Sequence, residues 1–195
     1  MSKIVFDIET YGDIRKRDQL KVTMVSLYNY DTDSYQSYNE HQLTELWPVL
    51  EKATLLIGYN SKGFDIPVLN NFYAGDLSVI PHCDILERIK ESAGKRYKLD
   101  DIAKATLQIS KSADGLAALK WYEEGEIEKI REYCEQDVKV TKEVYDFGLK
   151  NKMLYYPTLT GEVLPIAVDL EMPTLEEGGV AGQAVGANIN LTLPL

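Results

Sequence analysis

F-D-I-E-T, Phe6 to Thr10, closes the run K-I-V-F-D-I-E that begins at Lys3, and the reading of that run decides the fold. Ile4, Val5, Phe6 and Ile8 suit a β-strand. Asp7 and Glu9 sit inside it, although carboxylates seldom go fully buried unless paired or bound to a cation. Strand alternation places them: two apart, they share one face, while Phe6 and Ile8 point to the other face and into the core. A strand with one wet face needs nothing beyond that alternation. A metal-ligating role needs partners from elsewhere in the chain.

Outward from this strand, V-T-M-V-S-L-Y (22–28) reads as a second strand, separated from the first by Gly12 and the charged loop I-R-K-R-D. D-S-Y-Q-S-Y (33–38) is a third, hairpinned to the second. Leu43, Leu46, Trp47 and Leu50 recur at helical spacing behind an Asn39 cap. T-L-L-I-G-Y-N (54–60) is a short apolar run suited to a central parallel strand. Residues 64–74 are expected to form a helix with Pro67 near its first turn. V-I-P-H-C-D-I-L (79–86) holds one last short strand. From Ile127 to Leu149, the positions Ile127, Ile130, Cys134, Val138, Thr141, Val144, Tyr145 and Leu149 trace one stripe of a long helix. A meander followed by strand–helix alternation predicts an α/β fold, a mixed sheet flanked by helices.

The expected division is a domain over 1–157 and an extension over 158–195. In the extension, V-L-P-I-A-V-D-L (163–170) is an added strand and E-E-G-G-V-A-G-Q-A-V-G (176–186) a flexible tail. Gly178, Gly182 and Gly186 match G-x-x-x-G, but the surrounding Glu, Gln and Asn oppose a membrane helix. Leu191, Leu193 and Leu195 alternate at the end, and the tail is expected to dock onto a replication or repair partner.

A chain of 195 residues accommodates one well-cored domain. Its formal charge of −10 opposes non-specific coating of nucleic acid, while leaving room for an enzyme with an acidic, metal-binding centre. Cys83 and Cys134 cannot build a disulfide framework, which points to a reducing compartment. The first residues lack the features of a signal peptide, and no apolar run approaches the ~18 residues of a membrane span. The expectation is a cytoplasmic protein with no membrane association.

Two further segments supply the partners that Asp7 and Glu9 need. In Y-N-S-K-G-F-D-I-P-V-L (59–69), Asp65 follows a predicted strand and opens a helix, at the end of the sheet where open α/β folds hold ligands. An ordinary loop or capping aspartate is the plain alternative, with Phe64 anchoring the turn. In E-Y-C-E-Q-D-V (132–138), Tyr133 and Asp137 lie four apart on one helical face. Glu132, Glu135 and Gln136 belong to a solvated face, but Asp is a poor interior helix residue and calls for a reason.

In this order F-D-I-E-T, N-S-K-G-F-D and Y-C-E-Q-D resemble the three motifs of the DEDD superfamily of 3′–5′ exonucleases, over about residues 1–150. Tyr133 four before Asp137 resembles the DEDDy branch; the histidine branch would want His where Glu132 stands. His41 and His82 lie outside all three motifs and read as surface or core residues. C-D-I-L-E-R-I, Y-K-L-D-D-I-A-K and K-S-A-D-G-L-A-A-L-K-W-Y-E-E-G look like bacterial and phage stand-alone relatives of the exonuclease domain of family B DNA polymerases. The resemblance implies an RNase H-like fold, a mixed five-stranded sheet with helices on both sides.

It also implies a reaction. Converging carboxylates repel unless cations neutralise them, and two Mg²⁺, or Mn²⁺ in their place, suit such ligands. Ions about 3.5–4 Å apart stabilise both attacking and leaving oxygens of an in-line phosphodiester displacement. By the resemblance, Asp7 bridges both ions, Glu9 and Asp137 complete the one that activates water, and Asp65 serves the other. Tyr133 orients the water. A single-stranded DNA or RNA 3′ end would enter the cleft and release 5′-monophosphates, with DNA favoured over RNA.

Thr10 and Asn60 are expected contacts to the terminal nucleotides. Lys95, Arg96 and Lys98 are expected to meet the backbone, against the alternative of a solvated loop. Phe64, Tyr97 or Tyr11 would stack a base, against plain packing. The other readings are an RNase D-type exoribonuclease, a non-catalytic RNase H-like binding module serving a polymerase or helicase, and an RNase H-fold endonuclease or junction resolvase.

Overall fold

The computed structural model describes residues 2–109 and 115–171. Strand β1 (Ser2–Tyr11) is the middle member of a five-stranded sheet of order β3-β2-β1-β4-β5. β2 (Lys21–Asn29) and β3 (Ser34–Asn39) complete an antiparallel meander. β4 (Ala53–Gly58) and β5 (His82–Asp84) continue the sheet in parallel. This is the mixed sheet expected.

Side-chain alternation on β1 sends its apolar residues to two different cores. Ile4, Phe6 and Ile8 join Val25, Leu27 and Leu56 on one face. Leu43, Leu46 and Leu50 of α1 (Leu43–Leu50) cover it with Ile66, Val68 and Leu69 of α2 (Asp65–Leu69). On the other face Val5 joins Tyr28, Leu55, Ile57 and Cys83. That face is covered by Ile85 and Ile89 of α3 (Ile85–Ala93), Ile102 of α4 (Leu99–Leu107) and Val138 and Val144 of α6 (Ile127–Asn151). Each large aliphatic or aromatic side chain so buried contributes roughly 1.5–3 kcal/mol. Helices therefore flank both sides of the sheet. α5 (Gly115–Glu123) packs against α6 through Trp121, whose ring meets Tyr133 edge-on.

Two local expectations are corrected, and the added strand is present over a shorter range. Asn39 does not cap α1: it ends β3, its side-chain oxygen accepts the His41 N–H, and α1 begins at Leu43 without a side-chain cap. The helix expected over 64–74 is only Asp65–Leu69. Asn70 then turns the chain, accepting the Leu77 N–H and donating to Asp76, which is turn chemistry competing successfully with helix. The added strand is β7 (Val163–Ala167), and it pairs with β6 (Met153–Pro157) in a separate two-stranded sheet. Val168 and Leu170 beyond it are buried in the core that holds Val5. The glycine-rich stretch and terminal leucines lie outside the described residues. Among the described residues, no helix is long and apolar enough to cross a membrane.

Candidate active site

The face of β1 that carries Val5 also carries Asp7 and Glu9, and the apolar packing gives way between them. Val5 is fully buried, whereas Asp7 and Glu9 are only partly covered. Their register partners Ser26 and Met24 on β2 lie beneath α6. Helix α6 inserts Cys134 here: its thiol donates to the Asp7 carbonyl oxygen at 3.4 Å and lies 4.0 Å from Asp7 Oδ2. Ligand atoms of Asp7, Glu9 and Cys134 all fall within 4.8 Å of one another. Burial pushes the Cys134 thiol well up, with the charges of Asp7 and Glu9 adding to the effect. It is therefore a neutral packing residue at ordinary pH, and oxygen donors dominate the cluster.

Tyr133 and Asp137 flank Cys134 on α6, each 7% exposed. The Tyr133 ring is held against Trp121 with centroids 6.0 Å apart. The aspartate that is an oddity within the helix is thus a buried carboxylate one turn from the thiol that touches Asp7. A bulge between Glu9 and Thr10 shifts the β1–β2 register beside the cluster, re-aiming the strand where it leaves the core.

Asp65 reaches the same stretch of β1 from β4. Pairing of β4 with β1 ends at Val5↔Ile57, and farther along β1 the Ile8 N–H donates to the Asp65 carboxylate. Asp65 is 4% exposed; burial pushes its carboxyl up to about 7, Asp84 adding to the rise, while its own N–H and that of Ile8 oppose it. Such a group gives up its proton readily when a cation binds beside it.

The turn before Asp65 is built tightly. A Cβ at Gly58 would stand 2.3 Å from Ser61 Oγ, so glycine is required for the close approach. Ser61 is buried and bonds His82 Nε2 at 2.8 Å. Burial pushes His82 down to about 4, which leaves the imidazole neutral at ordinary pH. Asp84 accepts the N–H groups of Asn60 and Lys62 at 2.9 and 3.0 Å while capping α3 through Leu86 and Glu87. Asn60 itself takes a left-handed φ of 64°.

The expected substrate residues divide. Asn60 and Arg96 are brought together at this turn, the guanidinium donating to Asn60 Oδ1. Phe64 is half-buried against the core, with Arg17 stacked over its ring at 5.8 Å. Thr10 follows the bulge and alternates away from the Asp7–Glu9 face. Lys95 turns aside onto the rings of Tyr97 and Tyr156, and Lys98 precedes α4 in solvent. Tyr11 packs on Tyr122 and donates to Glu123. His41 is exposed and His82 belongs to the core, as their positions outside the motifs imply.

Sequence reasoning passes over Asp84, Arg17, Trp121 and the contact of Cys134 with Asp7. Asp84 has a readable signal, an aspartate three before Glu87 at a strand–helix junction, the pattern of an N-terminal cap. The other three depend on tertiary placement alone.

Fold and site together define the class: a mixed five-stranded α/β domain with an acidic cluster at one end of its central strand. Residues 4–147 match the family described as RNase_H superfamily, and the chain belongs to that family. Membership sets a nuclease-type class at family level. The fold is similar to that of the family B DNA polymerase from the hyperthermophilic archaeon Pyrobaculum calidifontis, with a TM-score of 0.60 at 17% identity. That likeness covers 76% of this chain and 24% of the polymerase chain, so this chain spans about a quarter of that protein. No curated protein matches the sequence.

Proposed function

We propose that this chain is a metal-dependent 3′–5′ exonuclease that removes nucleotides from single-stranded nucleic acid. The observation that carries the reading is the convergence on β1 of carboxylates from separate segments. Asp7 and Glu9 group with Cys134 of α6 within 4.8 Å, and Asp65 is anchored to the Ile8 N–H between them. The donor set is oxygen-rich, with a high, protonated thiol, which fits hard divalent cations such as Mg²⁺ or Mn²⁺. Asp7, Glu9, Asp65 and Asp137 would hold them. Bound, the cations supply charge neutralisation at the phosphodiester and a more acidic water.

The chain's own residues supply position. Tyr133, wedged against Trp121, orients the attacking water through its hydroxyl rather than acting as a base. The 58–64 turn, pinned by Asp84 and by the Ser61–His82 bond, fixes Asp65 and presents Asn60 and Arg96 to the strand. The tyrosine at position 133 favours this reading over an endonuclease or resolvase. The fold likeness to a DNA polymerase favours DNA over RNA.

The test is digestion of matched 5′-labelled DNA and RNA single strands with Mg²⁺ or Mn²⁺. A ladder shortening from the 3′ end is expected, stronger on DNA. Equal digestion by the Asp7→Asn protein, or none by the wild type, rejects the reading.

A further inference from the structure

The chain has five arginines. Three pair with carboxylates: Arg15 with Asp13, Arg88 with Glu91, and Arg131 with Glu128 and Glu135. Arg17 and Arg96 are used differently. Their guanidiniums donate to uncharged oxygens of one turn, Gly63 O and Asn60 Oδ1, so the turn is flanked by positive charge that these bonds do not neutralise. In a chain of net charge −10 these two cations stand on either side of the turn that leads to Asp65.

On the Arg96 side the turn opens onto a cavity of about 270 Å³, lined among others by Asn60, Lys62, Asp84, Glu87, Lys90 and Arg96. This is several times the ~30 Å³ share of a liquid water. Its two carboxylates are already engaged. Asp84 takes four backbone N–H groups, and Glu87 takes Lys62 at 2.7 Å. Its three cations, Lys62, Lys90 and Arg96, outnumber Asp84 and Glu87, so the lining carries one net positive charge, and Arg96 offers planar donors suited to a phosphate.

We infer that this cavity is a subsite for a phosphodiester of the substrate strand, upstream of the nucleotide being removed, with Arg96 and Lys90 as its cations. The assignment rests on the exonuclease reading for its place along the strand. Asn60 links the two: its backbone is tied to Asp84, its side chain accepts Arg96, and five residues later Asp65 meets β1 at the Ile8 N–H. A strand lying over the turn would have a phosphate on Arg96 while its 3′ end meets the carboxylates.

Binding of a 5′-labelled single-stranded DNA decamer to the full chain in EDTA, read by fluorescence anisotropy, tests this without hydrolysis. The Lys90→Gln/Arg96→Gln protein should bind about tenfold more weakly, with the slope of log K against log[salt] shallower by about 0.7 for each phosphate no longer neutralised. Lys3→Gln/Lys52→Gln removes the same charge at the opposite ends of β1 and β4, and should stay within about twofold of wild type. One neutral methylphosphonate linkage should weaken the wild type and leave the double variant unaffected. Equal affinity in the double variant, a matching loss in the control, or a loss confined to a free nucleoside 5′-monophosphate overturns the assignment. A chain that shows the expected binding yet digests no strand keeps the subsite and loses the exonuclease reading. Normal digestion with equal binding does the reverse.

Discussion

Cys134 Sγ sits 3.4 Å from the carbonyl oxygen of Asp7, and this contact seats the long helix α6 on the central strand β1. It joins the first and third carboxylate motifs across 127 residues of sequence. The thiol fills the space under the acidic cluster with a small, weak donor, so its size sets the spacing between strand and helix.

Cys134→Ala should cost about 1–2 kcal/mol in urea denaturation and leave most activity, because the carboxylates keep their backbone positions. Cys134→Leu should cost about 1–3 kcal/mol by overpacking and also lower kcat by at least tenfold, since α6 and Asp137 must move away from β1. Wild-type kcat in the leucine variant would show that this spacing is irrelevant to the site.

Much of this arrangement is legible in the amino-acid sequence. The period-2 pattern of K-I-V-F-D-I-E sets both the strand and the sharing of one face by Asp7 and Glu9, because alternation is a backbone property that distant contacts rarely override. The long stripe of α6 is equally plain. Residues 64–74 carry helical spacing yet form only a short helix, because Asn70 and Asp76 bond each other and the following backbone. That is a local competition which apolar spacing does not display. Thr10, Lys95 and Lys98 have suitable residue types next to the motifs. Period 2 already turns Thr10 away from Asp7 and Glu9, whereas Lys95 lies on neighbouring rings, which sequence does not encode locally. Arg17 joins Gly63 across 46 residues, and nothing near either position announces it.

Asp65 gives a pH signature for the metal-free protein. Its folded pKa, about 7, lies above its ordinary value of 3.8, so the fold binds a proton that the unfolded chain releases. Stability from this group is therefore complete below about 3.8 and is lost as pH rises through about 7. Relative to wild type, Asp65→Asn should gain on the order of a few kcal/mol of metal-free stability at pH 7 and little near pH 4. It should also abolish stabilisation by added Mn²⁺. Chemical denaturation at both pH values in EDTA checks this, and a wild-type-minus-variant difference independent of pH contradicts it.

Gly58→Ala places a methyl against Ser61 Oγ, which is itself held by His82. The turn must shift, and it carries Asp65. Thermal denaturation should show a loss of about 1–3 kcal/mol, and kcat should fall more than the stability loss alone accounts for at a temperature where the variant is folded. Unchanged kcat in the folded variant would mean that the turn does not position the carboxylate.

Tyr133→Phe keeps the ring against Trp121 and removes only the hydroxyl. We expect kcat to drop about tenfold to a hundredfold with Mn²⁺ affinity within about twofold of wild type, the pattern of a group that positions the nucleophile. Isothermal titration beside single-turnover kinetics separates the two quantities. A parallel loss of metal affinity would instead place the hydroxyl among the groups that organise the cation site.

The central claim is that carboxylates meeting on β1 hydrolyse a strand from its 3′ end. Its most direct measurement follows a 5′-labelled single-stranded DNA with Mg²⁺, comparing wild type with Asp137→Asn, whose carboxylate is buried beside Cys134 on α6. A metal-dependent ladder shortening one nucleotide at a time is expected in the wild type, reduced at least about a hundredfold in the variant. Internal cleavage, or equal ladders from both proteins, would contradict it.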